Sequence, residues 1–133
     1  MKNNSSKNYK EWIQKADDDL AVAKNIFKEG RYFAHVCGLC QQVVEKYLKA
    51  YIVKTKGEIR KKDQTHKLIY LANLCQKQGL DLLKDHEDDL RYLYEAYIPA
   101  KYPLPSPKTF DRADAERLLD LVEEIIEKIK EKL

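Results

Sequence analysis

The chain has 133 residues and a formal net charge of +3, with four glycines, four prolines and three cysteines. That length holds one hydrophobic core and excludes a second full domain, and the charge alone is too small to announce a nucleic-acid binder. Helix formers dominate and clean period-two alternation is lacking, so residues 1–133 read as a single all-α domain.

Asn8 or a neighbour is suited to cap a first helix that runs to about Lys28, with Trp12, Ile13, Ala16, Leu20, Ala23 and Phe27 on its inner face. Gly30 ends it, because glycine accepts the left-handed conformation that stops a helix. The second helix is expected over Tyr32 to Lys54. Cys37, Cys40, Val44, Tyr47, Leu48, Tyr51 and Ile52 recur there at three- and four-residue steps and line one face. Gln41, Gln42, Glu45, Lys46 and Lys49 form a polar set beside that stripe, and Gly57 closes the helix.

Glu58 to Asp63 reads as a solvated loop. Thr65 is the expected N-cap of a shorter third helix, His66 to Gln78, with Leu68, Leu71, Ala72 and Cys75 facing inward. Leu80, Leu82 and Leu83 pack the next connection, and a fourth helix covers about His86 to Tyr97, with Leu90, Leu93, Tyr94 and Tyr97 on its core face. Pro99, Pro103, Pro105 and Pro107 make residues 99–108 a proline-rich loop. The last helix, about Asp111 to Lys132, carries a wide stripe of Ala115, Leu118, Leu119, Val122, Ile125, Ile126 and Ile129. That width suits a well-buried helix or one shared with a partner subunit. The expected fold is an antiparallel up-and-down bundle of four long helices and one shorter helix.

Cys37, Cys40 and Cys75 sit among apolar neighbours and read as small buried hydrophobes, not as a disulfide framework or a metal site. Asp17, Asp18 and Asp19 are consecutive on a helix and so cannot converge on one ion; they read as a solvated face, as do Asp85 to Asp89. Met1 to Lys10 has no apolar run of the signal-peptide kind, and no window approaches a membrane span. A cytoplasmic protein without cofactor or metal is expected.

Four separated pieces carry a family resemblance. Trp12 with Ala16, Asp17, Asp18, Asp19, Leu20 and Ala23 opens the first helix, and Gly30-Arg31-Tyr32 leads into Gln41-Gln42-Val43-Val44-Glu45-Lys46-Tyr47-Leu48-Lys49-Ala50. Thr65-His66-Lys67-Leu68 with Leu71 is the third piece, and Tyr97 with Ala100-Lys101-Tyr102-Pro103 the fourth. In this order the chain resembles the HEPN domain family, with Lys67 where the family usually has an acid and Lys101 where it has an arginine. The resemblance implies a small helical bundle that usually forms a homodimer. Family members bind nucleotides, act as ribonucleases, or accompany a small nucleotidyltransferase. The ribonucleases carry an arginine followed a few residues later by a histidine at a dimer cleft. Arg60 and His66 match that spacing, whereas the late-helix position usual for the pair holds Tyr94, Tyr97 and Lys101.

The candidate nucleotide- or partner-binding residues are His66, Lys101 and Tyr102, with Glu45, Lys46 and Lys49 beside them. Histidine can move a proton or contact phosphate near neutral pH, although Thr65 and His66 equally suit a capping role. Lys101 and Tyr102 could present a cation and a ring from a stiffened loop; Tyr102 could also pack down to fasten it. Glu45 to Lys49 is the favourable direction for an intrahelical pair, and the same row could border a groove. Lys54, Lys56, Arg60, Lys61, Lys62 and Lys67 form a basic patch that gives RNA slight support. The reading is a binding module that recognises a nucleotide or a nucleotidyltransferase as a homodimer, with no catalytic residue assigned. The alternatives are a metal-independent ribonuclease toxin of a toxin–antitoxin pair and a non-catalytic scaffold.

Overall fold

The computed structural model describes residues 5–101, 103 and 109–133, apart from the side chains of residues 98–101. Five α-helices and no strand occur among them: α1 (Tyr9–Glu29), α2 (Phe33–Lys56), α3 (Leu68–Gln76), α4 (Leu83–Lys101) and α5 (Arg112–Lys132), with one 3₁₀ turn at Lys61–Asp63. The all-helical bundle of four long helices and one short one is therefore as the periodicity predicts.

Local chemistry sets the boundaries. The Asn8 side chain accepts a hydrogen bond from the Lys10 amide at the start of α1, and Gly30 ends that helix at φ 76°. Any side chain at position 30 would need that left-handed backbone and would place its Cβ 3.1 Å from the Arg112 guanidinium. Two residues later Tyr32 also adopts a left-handed conformation, φ 60°, which is uncommon for a bulky residue. At the other end of the chain, Asp111 and Asp114 bond each other's backbone amides in a capping box that opens α5.

α2 is the hub. It packs against each of the other four helices, so its burial extends beyond one apolar stripe to include Gln41, Glu45 and Lys49. The four long helices alternate in direction: α1 and α4 run opposite to α2 and α5. α3 lies along α2 in the same sense, with His66 beside Glu45, Cys75 bonding the Leu48 carbonyl and Tyr51 bonding the Gln78 carbonyl. The connection from Gly57 to Lys67 doubles back to make this possible. It is not the solvated loop expected, because Ile59 is 0% exposed and Asp63 only 3%.

Several helix boundaries differ from expectation by a residue or more, and those of α3 and α4 have a local cause. α3 starts at Leu68 and not at His66, because the Thr65 hydroxyl accepts the Lys67 amide in a local turn that competes with the helix. α4 starts earlier than expected, where Asp81 accepts the Lys84 amide, and its first turn is separated from the rest by a kink at His86 (φ −130°, ψ 16°). His86 is buried and bonds Asp89, so the acidic run is not solvated throughout. The same helix continues through Pro99 to Lys101, into the segment expected to be loop. Proline's φ is helical, and near a helix end its missing amide removes only the bond toward the Glu95 carbonyl. Residues 102 and 104–108 of the expected loop lie outside the described residues.

The three cysteines are buried thiols outside any disulfide, as expected. Burial pushes the Cys75 thiol up to about 12, and burial followed by the neighbouring Cys37 pushes Cys40 higher still. No helix among the described residues is long and apolar enough to cross a membrane.

Candidate functional site

Four-residue steps place Gln41, Glu45 and Lys49 on one face of α2, and that face meets the return of the chain into α3. Lys49 Nζ donates to Glu45 Oε2 at 2.8 Å, with each side chain 8% exposed. Gln41 Nε2 donates to the His66 carbonyl at 2.9 Å and to Glu45 Oε1 at 3.4 Å. His66 Nδ1 lies 2.8 Å from that same Glu45 oxygen. An ionised carboxylate only accepts, so this bond assigns the ring proton to Nδ1 and leaves Nε2 as the acceptor of the neutral ring. The His66 side chain is 61% exposed, so a buried ion pair holds a histidine at the surface.

His66 is also part of an aromatic series. Its ring centroid lies 5.7 Å from that of Tyr97, which in turn stacks on Tyr94 at 6.4 Å. Tyr94 lines an open cleft of about 430 Å³ between α3 and α4, with Lys67, Tyr70 and Asn73 from the α3 side and Arg91 and Glu95 from α4. Leu68 and Ile69 supply apolar wall. A second cavity of about 220 Å³ shares Lys67 and Tyr70 with the first and adds Lys62 and Thr65. Both volumes are open to solvent at lysines, so an anionic group can reach them without losing all its water.

Asp63 bonds Tyr70, which lines both cavities. Arg60 Nε donates to one carboxylate oxygen at 3.1 Å and the Tyr70 hydroxyl donates to the other. Burial works to raise the Asp63 pKa, but those two hydrogen bonds and the charges of Arg60 and Lys62 outweigh it, holding the carboxyl below its ordinary value. The hydrogen bond to Asp63 raises the Tyr70 phenol in turn.

The residues expected at a site divide into three groups. Glu45, Lys49 and His66 meet directly. Lys46 points elsewhere: it pairs with Asp19 of α1, next to a hydrogen bond from Tyr47 to Asp17. Those bonds tie two members of the supposedly solvated acidic run to α2. Lys101 is the last residue of α4, with its side chain outside the described residues, as is the whole of Tyr102. The sequence reading misses Tyr70, Asn73, Arg91 and Glu95 as site residues. Its available signal is Lys67-Tyr70-Asn73 on one face and Arg91 with Tyr94 and Glu95 on another, at helical spacing.

The crystal structure of TT1696 from Thermus thermophilus is similar to this chain with a TM-score of 0.78 and 26% sequence identity, covering 96% of this chain and 100% of that one. No curated protein matches the chain. The family model for the HEPN domain matches residues 9–133, nearly the whole bundle, and the chain therefore belongs to the HEPN domain family.

Proposed function

We propose that this HEPN domain is a non-catalytic binding module that takes a nucleotide into the α3–α4 cleft. The observation that carries this reading is the lining of the cleft. Tyr70 and Tyr94 offer rings to a base, Asn73 and Glu95 offer hydrogen-bonding groups, and Lys67 and Arg91 offer charge to phosphate. Its volume, about 430 Å³, is in the range of roughly 300–1,000 Å³ common to small-molecule sites. His66, held by Glu45 and beside Tyr97, directly precedes Lys67 of the cleft wall, and its Nε2 is suited to accept a hydrogen bond from a ligand there. Family membership supports a homodimer and a small nucleotidyltransferase partner as the setting, and three buried thiols suit a reducing cytoplasm.

The ribonuclease toxin is a second reading, favoured by the His66–Glu45 pair, which has the orientation of a proton-transfer group. Against it, Arg60 is bonded to Asp63 and so is not held for a developing phosphate charge.

Calorimetry against purine and pyrimidine nucleotides tests the proposal. The wild type should bind at least one of them, and Tyr94→Ala and Arg91→Ala should each weaken binding about tenfold, equivalent to about 1.4 kcal/mol. No heat at millimolar nucleotide would leave the scaffold as the better account.

A further inference from the structure

We infer that the α3–α4 cleft selects guanine among the bases, and that Glu95 is the residue that reads it. This rests on the nucleotide reading of the cleft and adds the identity of the base.

The first observation is the mixed charge of the lining. Lys67 and Arg91 suit a phosphate, yet the same cleft carries the Glu95 carboxylate, one turn beyond Arg91 on α4. Arg91 bonds Glu87, one turn in the other direction. Among the described residues Glu95 has no ion pair or hydrogen bond of its own. An unpaired carboxylate repels an anionic ligand unless that ligand brings donors to it. Phosphate and ribose carry the charge and the hydroxyls, so the N–H groups must come from the base.

The second observation is what else in the lining could tell one base from another. The Tyr70 hydroxyl already donates to Asp63. Asn73 carries both a carbonyl and an amine, so it can serve the O6 of guanine or the amine of adenine alike. The faces of Tyr94 and of Tyr70, which is 41% exposed, hold any flat ring, with Leu68 and Ile69 as apolar wall. Glu95 accepts and cannot donate, and so it discriminates.

The third step is the chemistry of the bases. Guanine sets two donors side by side, N1–H and the N2 amine, and these match the two oxygens of one carboxylate. Adenine and cytosine place an amine beside a ring-nitrogen lone pair, and uracil flanks its single N–H with two carbonyls. Each of these turns an acceptor toward Glu95, and a site built around one hydrogen-bonding pattern rejects a ligand that leaves it unmatched.

Calorimetry on the full chain with the 5′-monophosphates of guanosine, inosine, adenosine, cytidine and uridine tests this, since only the base differs. Guanosine monophosphate should bind about tenfold tighter than inosine monophosphate, which keeps N1–H but lacks the N2 amine, and about a hundredfold tighter than adenosine monophosphate. Glu95→Gln offers one donor and one acceptor, the pattern that adenine matches, so it should weaken the guanosine ligand and tighten the adenosine one. Glu95 is exposed, so the substitution leaves folding intact. Equal binding of all five, or a preference for another base, would overturn guanine selection and leave the nucleotide site standing. A guanine preference that survives Glu95→Gln would overturn the assignment to Glu95. If none of the five binds, both readings fall.

Discussion

Glu45 and His66, 21 positions apart in sequence, meet at 2.8 Å, and the other oxygen of Glu45 holds Lys49 at the same distance. With Gln41 also donating to it, the buried carboxylate thus serves three donors at once. Removing it strands the Lys49 ammonium in a buried place where the Trp12 ring, 5.8 Å away, is its other neighbour. Glu45→Ala should therefore cost about 3–5 kcal/mol, in the range measured for breaking buried pairs. Lys46→Ala should cost about 1 kcal/mol or less, since its pair with Asp19 is about a quarter exposed. Urea unfolding midpoints at constant slope measure both.

Asp63 makes the stability depend on acid. Its folded-state pKa is lowered, so the stabilisation is complete above the unfolded value, about 4, and is lost as pH falls through the folded value. Wild type and Asp63→Asn should differ most near neutral pH and converge below about pH 4. Parallel thermal melts from pH 7 downward give the comparison; a difference that stays constant to pH 2 would contradict the assignment.

The buried thiols should be inert in the native state. Thiolate is the reactive form, and burial raises Cys75 to about 12 and Cys40 above that. A chromogenic disulfide reagent at pH 8 should release little colour from native protein and titrate all three cysteines once the chain is unfolded. Fast reaction of a native thiol would place a cysteine closer to the surface than this packing allows.

These features are unequally legible in the sequence. Asn8 and Gly30 bracket α1 because each acts through its own backbone, and the Glu45–Lys49 pair follows from helical spacing alone. The start of α3 is easily misread because Thr65 bonds locally at a point where helix and turn compete, and Pro99 reads as a break although its φ fits a helix. His66 reaches Glu45 only because Ile59 and Asp63 bury the returning connection, a tertiary outcome that the charged sequence of that segment conceals. The cleft escapes notice for the same kind of reason. Asn73 and Arg91 are ordinary exposed residues on separate helices until α3 and α4 pack side by side.

RNA should survive incubation with the purified domain, with or without magnesium. Cleavage needs a proton-transfer group and a cation placed together at the phosphate. His66 is oriented, but Arg60 is bonded to Asp63. Metal-independent cleavage lost in both His66→Ala and Arg60→Ala, with folding intact, would promote the ribonuclease reading.

The measurement that bears most directly on the nucleotide site is a backbone amide NMR titration with the nucleotide that calorimetry ranks first. The account predicts shifts concentrated at Lys67 to Asn73 and Arg91 to Glu95, with smaller ones at His66 and none at Lys46 or Asp19 on the far side of α2. Shifts centred on Lys46 and Asp19, or a spectrum unchanged at millimolar nucleotide, would contradict it.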